Sequence, residues 1–392
     1  MKGNKKHLVF GICICVAFVL FSAFMGVSAA LAAKTIYVPD NYAKIQDAVN
    51  AASIGDTIIV REGTYYENLK VDKQLTIKSE NGSANCIVDC GGSGDVITLN
   101  VDGRTLVVNQ TDACTTGDLY FSMISDAVMN ANDSDTIIVC PGTYNENVDV
   151  DVSVEIRSYS QNTSDTIVKA NNSDDHVFNV TANNVYISGF TVTGATDTFK
   201  AGIYLYSSNN SRIENVNASN NRYGIHLSHS SNNIIENNTV SSNNRYGIYL
   251  YKSSNNTIAN NTFFLNGMLV FDSYNKVTNN TVNGKPLVYL ENVNDYVVED
   301  AGQVIAINSN NITVENLNLS YASVGVEFWN TSKSKIINNT ASNNGYGISL
   351  WVFSNSTIAN NTVSNNNDGM SFSYSSNNII ANNMESETRL IA

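Results

Sequence analysis

The chain has 392 residues, of which 15% are charged, and its net charge is −13. A chain this acidic and charge-poor lacks the lysine and arginine that phosphate backbones require, which excludes general nucleic-acid binding. Its 43% hydrophobic content excludes wholesale disorder, and three prolines with 24 glycines exclude a collagen-like or linker-like chain. Polarity comes instead from asparagine, concentrated after position 170.

Lys2, Lys5 and Lys6 precede an apolar run from Leu8 to Val27, which leads into the small-residue stretch Ser28-Ala29-Ala30-Leu31-Ala32-Ala33. This order predicts an export signal over residues 1–33, cut near Ala32 or Ala33. The run is long for a signal peptide, about 20 residues against the usual 7–15. An uncleaved anchor is therefore the alternative, and the membrane is expected as a partner through this segment alone. No later segment is long and apolar enough to span a bilayer. Either way the mature chain is expected to be secreted or held at the cell surface.

Cys13 and Cys15 fall in that signal, leaving Cys86, Cys90, Cys114 and Cys140, which allow three connectivities. Cys86-Ile87-Val88-Asp89-Cys90 reads as a strand, which holds its two cysteines about 13 Å apart. A disulfide tolerates about 7 Å between Cα atoms, so Cys86 and Cys90 are not expected to pair if that strand is extended. Separately, one Cys114–Cys140 bridge is expected. No C-x-x-C pair points to zinc.

Residues 34–104 begin with Ile45-Gln46-Asp47-Ala48-Val49, then Gly55-Asp56-Thr57-Ile58-Ile59-Val60, then Gly63-Thr64-Tyr65-Tyr66-Glu67-Asn68. Residues 105–197 repeat the unit: Ile124-Ser125-Asp126-Ala127-Val128, Asp135-Thr136-Ile137-Ile138-Val139 and Gly142-Thr143-Tyr144-Asn145-Glu146-Asn147. In each, Ile45, Ala48, Val49 and Ala52, or Ile124, Ala127, Val128 and Ala131, share one helical face. Each unit predicts a short amphipathic helix followed by strands, suited to covering an exposed sheet edge. Two caps, or one cap and a helix on the flank, both fit.

Residues 198–392 carry the main signal. Gly202-Ile203-Tyr204-Leu205 returns at Gly224, Gly247, Gly325, Gly347 and Gly369 as variants of G-I-x-L. Eleven residues after each glycine stands an isoleucine (213, 235, 258, 336, 358, 380), and thirteen after it an asparagine (215, 237, 260, 338, 360, 382). Apolar residues alternate within each G-I-x-L as a strand requires, and no helical period intervenes. The fold that satisfies this is all-β, a right-handed single-stranded parallel β-helix with short N-terminal capping helices. Its coils of about 22 residues stack about 4.8 Å apart. Isoleucines then fill the interior, and stacked asparagines pass amide hydrogen bonds from coil to coil. Stacked amides do not repel as stacked like charges do, which accounts for the composition.

Ile36-Tyr37-Val38-Pro39-Asp40-Asn41-Tyr42-Ala43-Lys44-Ile45-Gln46-Asp47-Ala48-Val49, with G-D-T-I-I-V and G-T-Y-x-E-N, resembles the N-terminal cap of pectin-lyase-fold proteins. Gly284-Lys285-Pro286-Leu287-Val288-Tyr289-Leu290, Asp300-Ala301-Gly302-Gln303-Val304-Ile305 and Asn311-Ile312-Thr313-Val314-Glu315-Asn316-Leu317 resemble the NosD-type periplasmic copper-binding β-helix family. Similar repeats occur in surface proteins of methanogenic archaea and in the carbohydrate-binding and sugar-hydrolysis β-helix group. The resemblance covers nearly all of residues 35–392. It implies copper, which wants clustered Cys, Met or His. The mature chain has His176, His226 and His229 and scattered Met123, Met129, Met268, Met370 and Met384, so no cofactor is expected.

Among outward positions, Tyr204, Tyr206, His226, Tyr249, Tyr251, Trp329 and Trp351 form an expected exposed aromatic stripe. Such a stripe stacks on sugar rings, or its members simply stack on each other. Two residues before successive glycines stand Lys200, Arg222 and Arg245, a cation column that suits an anionic glycan, or else splays into solvent. Glu214 and Glu236 share a column about 5 Å apart, near the carboxylate separation of retaining glycosidases, with Arg212 on the same face. A surface ion cluster is the competing reading. Asp174-Asp175-His176 resembles an acidic motif of polygalacturonases, but the accompanying N-T-D, G-H-G and R-I-K elements are missing. Asp149 and Asp151 alternate outward and make calcium the one metal the residues admit. Asn81, Asn109, Asn132 and Asn162 are the expected glycan acceptors, because asparagines of the repeat column are spent if that column faces inward.

The expected function is an exported, non-catalytic β-helix that binds carbohydrate or other cell-surface proteins along its flank. A polysaccharide-cleaving enzyme and a purely structural surface-layer rod are the alternatives. The final coil is expected to continue in a longer chain or to lie under a partner.

Overall fold

The computed structural model describes residues 34–53, 56–71, 75–82, 84–89, 96–99, 103–110 and 114–386, within two compact units, 1–102 and 103–392. The predicted export segment and Cys90 lie outside the described residues. The chain winds as a right-handed parallel β-helix of about 15 turns.

In the first unit, Thr35–Val38, Thr57–Val60 and Thr76–Ser79 form one parallel sheet. Gly63–Tyr65 pairs with Cys86–Val88, and Leu69–Val71 with Ile97–Leu99. Helix α1 (Ile45–Ala51) buries Ile45, Ala48 and Val49 in the same core as Ile36, Val38, Ile58, Val60 and the free thiol Cys86. Helix α2 (Ile124–Met129) does the same in the second unit with Ile124, Ala127 and Val128. Each cap thus belongs to its own unit.

The duplicated motif has a structural purpose. A helix start leaves backbone N–H groups without intrahelical partners. Neither helix has a side-chain cap at its own first residue. Glu67 supplies one from the following strand turn, accepting from Ile45 N–H and Gln46 N–H at 3.0 Å each. Glu146, buried, accepts from Ile124 N–H (2.8 Å), Ser125 N–H (2.9 Å) and Ser125 Oγ–H (2.8 Å). Asp56 and Asp135 tie the preceding strand in the same way. Glu146→Ala should lower the stability of its unit by about 2 kcal/mol, with Glu146→Gln in between because an amide oxygen still accepts without charge. Denaturant unfolding that coincides for wild type and Glu146→Ala would remove the capping role.

Cys114 and Cys140 are joined in a disulfide, Cα–Cα 5.5 Å, close to the cap of the second unit. Beyond it the coils build three parallel sheets with the isoleucines at 213, 235 and 258 fully buried. The ladder is one residue out of the expected register. Asn237, Asn260, Asn338 and Asn360 are exposed and take left-handed φ near 55°, a conformation asparagine tolerates better than most residues. The following residue points inward. Val216 N–H donates to Asn238 Oδ1 (2.9 Å), Asn238 N–H to Asn261 Oδ1 (3.0 Å) and Asn261 N–H to Asn280 Oδ1 (2.9 Å). A second ladder runs Asn221–Asn243–Asn266 and a third Asn233–Asn256–Asn275.

The winding is interrupted after Val282. Asn283-Gly284, with φ 51° and 80°, form a two-residue hairpin that pairs Thr281–Val282 antiparallel with Lys285–Pro286. The next coil takes 16 residues, Leu287 to its partner Gln303, before the 22-residue step resumes from Val304 to Val326. Side chains take over where strand Met268–Phe271 loses its backbone neighbour. Gln303 accepts from Met268 N–H (2.9 Å) and donates to Met268 O (2.6 Å). Glu327 accepts from Val270 N–H at 3.2 Å on both oxygens. Ser323 Oγ accepts from Gly247 N–H and Gly267 N–H. Ile305 and Ile307 pack back onto the first core, whereas Val304 and Ala306 begin a second.

Candidate functional site

Strand register fixes three outward columns on the face that ends at Met268–Phe271: Tyr204–His226–Tyr249–Leu269, Tyr206–Ser228–Tyr251–Phe271 and Ala201–Tyr223–Tyr246. Neighbouring rings lie one strand spacing apart and stack. His176 lies 4.3 Å from Tyr204, Tyr204 4.8 Å from His226, and His226 4.7 Å from Tyr249. The expected exposed stripe is corrected accordingly. His226 is buried, Tyr204, Tyr249 and Tyr251 are half-buried, and Tyr206 alone of these is exposed. Both ring nitrogens of His226 are buried without a partner among the described residues. Burial pushes its pKa down to about 3, and that of His176 to about 4.

At the interruption these columns meet those of the second stack. Tyr246 faces Tyr346 (6.5 Å), Phe271 meets Trp351 edge-on (5.5 Å) and Tyr274 meets Trp329 (5.4 Å). Between them opens a cleft of about 270 Å³, lined by Phe199, Arg245, Phe271, Trp329, Tyr346 and Trp351 among others. Trp329 and Trp351 are register partners on adjacent coils and both half-exposed. Glu327 also lines it. Burial pushes this carboxyl up to about 8, against a lowering by the Val270 N–H. Glu327 was not among the residues singled out in the sequence. Its signal is an acid in the column that holds Tyr204, His226 and Tyr249 elsewhere.

Glu214 and Glu236 are register partners, and Arg212 bonds both, Nε to Glu214 at 2.8 Å and Nη2 to Glu236. The Arg212 hydrogen bond holds Glu214 below the usual carboxylate range. A glycosidase acid needs the opposite shift, so the pair reads chemically as an ion cluster. Asp149 accepts from Asn179 Nδ2–H (2.8 Å), and Asp151 is exposed. Asn81 and Asn162 are exposed, Asn109 and Asn132 half-buried. Because Asn237, Asn260, Asn338 and Asn360 are exposed too, the inward orientation that would have spent them does not hold.

A family model described as periplasmic copper-binding protein (NosD) matches residues 128–289 and 274–389. Among proteins of curated function none matches the chain. Solved structures similar to it include a mannuronan C-5 epimerase A-module from Azotobacter vinelandii, 17% identical with TM-score 0.38, covering 67% of this chain and 93% of that one. ORF18 of Geobacillus virus E2 is 14% identical with TM-score 0.40, covering 91% and 74%. Pectate lyase Pel9A is 13% identical with TM-score 0.32, covering 67% and 70%. The copper in the family description finds no fitting donor set among the described residues. His226 lies between two tyrosine rings, His176 Nδ1 accepts from Ala201 N–H, and no three His, Cys, Asp or Glu side chains gather.

Proposed function

The chain belongs to the NosD family of parallel β-helix proteins, and from that premise we propose that it is an exported, non-catalytic β-helix that binds carbohydrate in the cleft at its interruption. The observation that carries this reading is the Trp329–Trp351 platform. Two half-exposed indoles one coil apart, flanked by exposed Tyr274 and Tyr374, offer rigid apolar faces with polar edges, the surface a pyranose ring stacks on. Such a patch on a β-helix flank marks a surface to be covered.

A glycan panel with a parallel reducing-sugar assay tests it. Retention of an oligosaccharide without turnover is expected, weakened at least about tenfold, or ~1.4 kcal/mol, in Trp329→Ala and Trp351→Ala. Turnover that disappears in Glu327→Gln or Glu214→Gln would instead make the protein a polysaccharide-cleaving enzyme. Failure to retain any glycan would leave a structural rod.

A further inference from the structure

In the cation column that leads into the cleft, two of the three side chains have no acid partner among the described residues. Lys200, Arg222 and Arg245 occupy one position on three successive coils, where Tyr223 N–H donates to Lys200 O and Arg245 N–H to Arg222 O, each at 3.0 Å. Coils about 4.8 Å apart bring like charges close enough to repel. Elsewhere the protein answers its arginines with acids: Arg212 holds Glu214 and Glu236, and Arg104 holds Asp135 at 2.6 Å. In this column Lys200 alone makes an ion pair among the described residues, with Asp174 at 3.9 Å.

Arg222 makes no side-chain hydrogen bond or ion pair among the described residues, and its Nε is buried without a partner. Buried donors are almost always satisfied, so an orphan needs an explanation. Arg245 lies 5.0 Å over the Tyr246 ring. It spends Nε on Tyr246 Oη (2.8 Å) and Nη2 on Tyr346 Oη (3.4 Å), and makes no ion pair among the described residues. A guanidinium carries five donors in a planar fork, so most of both forks remain to be used. Of the acids lining the cleft, Glu327 is buried and bonded to Val270 N–H, and Asp272 is exposed.

We infer that the ligand is an acidic polysaccharide, whose carboxylate or sulfate groups are met coil by coil by Arg245, Arg222 and Lys200 while a pyranose ring lies on Trp329 and Trp351. An acid group repeated along an extended glycan can meet cations repeated from coil to coil. Bidentate contact between guanidinium and carboxylate or sulfate supplies the specificity. The inference rests on the carbohydrate reading of the cleft.

The test compares a neutral, a hexuronate and a sulfated hexasaccharide of equal length by calorimetry on the full chain. At least one acidic probe is expected to bind at least about tenfold tighter than the neutral one, with affinity falling as salt rises. The two acidic arms tell carboxylate from sulfate. Arg222→Gln, which breaks no hydrogen bond or ion pair among the described residues, is expected to remove most of that preference, and Trp351→Ala to weaken all probes alike. Equal binding of neutral and acidic probes, or an acid preference untouched by Arg222→Gln, would overturn the inference and leave carbohydrate binding standing. Binding of no probe at all, with thermal unfolding intact, would remove both.

Discussion

Asn261→Ala is expected to lower the stability of the second unit by about 3–5 kcal/mol, the sum of several buried polar groups left unpaired. Asn261 is 1% exposed. Its Oδ1 accepts from Asn238 N–H and Asn238 Nδ2–H at 3.0 Å each. Its Nδ2–H donates to Ile235 O (2.9 Å) and Asn280 Oδ1 (3.0 Å). Alanine removes all four contacts and lets in no water to replace them. The control is the neighbouring residue. Asn260 is exposed at φ 55°, so Asn260→Ala should cost only about 1 kcal/mol of left-handed strain. The comparison is read from urea or thermal unfolding of the two variants. Equal shifts would mean that the buried ladder does not hold the coils together.

That contrast also explains how far the fold was legible. The glycine, isoleucine and asparagine columns fixed coil length and stacking because each coil puts the same residue type in the same place. Which of two adjacent asparagines faced inward was not legible. Strand alternation carried past Ile235 places Asn237 inside, but the left-handed turn at Asn237 reverses the sense and turns Asn238 in instead. Both residues are asparagine, one for its backbone tolerance and one for its amide, and composition does not separate the two demands. The duplicated G-T-Y-x-E-N motif announced a cap, whereas the contact it makes, a glutamate on a helix start 21 and 22 residues earlier in the chain, required the coil to be closed.

The site was legible in its residue types and less so in its surroundings. Tyr204, His226 and Tyr249 were read as outward, which register supports. Rings at one strand spacing cover one another, however, so outward did not mean exposed. The cleft depends on the break at Asn283-Gly284, which sets residues about a hundred positions apart face to face, as Tyr246 meets Tyr346. No periodic pattern encodes that meeting. Glu327 follows the same logic: at the break it supplies the acceptor that Val270 N–H would otherwise lack.

Glu327 also sets an alkaline limit on stability, and two histidines set an acid one. A carboxyl raised from 4.5 to about 8 keeps a proton in the folded state that the unfolded chain has released. Its contribution therefore falls as pH climbs from about 4.5 to 8 and is constant beyond. His226 and His176, lowered from 6.5 to about 3 and about 4, remain neutral in the fold while the unfolded chain takes up protons. Their contribution falls as pH drops below about 6.5. Two histidines gain protons in the unfolded chain where one glutamate has lost its own, so the opposing slopes cancel near pH 6.5 and these three groups place the maximum there. Glu327→Gln retains an acceptor for Val270 N–H with nothing to ionise. It should leave stability near pH 5 unchanged and raise it at pH 9 by on the order of 1–3 kcal/mol. His226→Phe, which keeps a ring between Tyr204 and Tyr249, should flatten the acid side alone. Thermal midpoints across about pH 4–9 measure both limbs. A wild-type midpoint that stays level above about pH 6.5, or one that falls equally in Glu327→Gln, would show that the carboxyl at the break is already ionised and that the strand edge at Val270 is held by a charge.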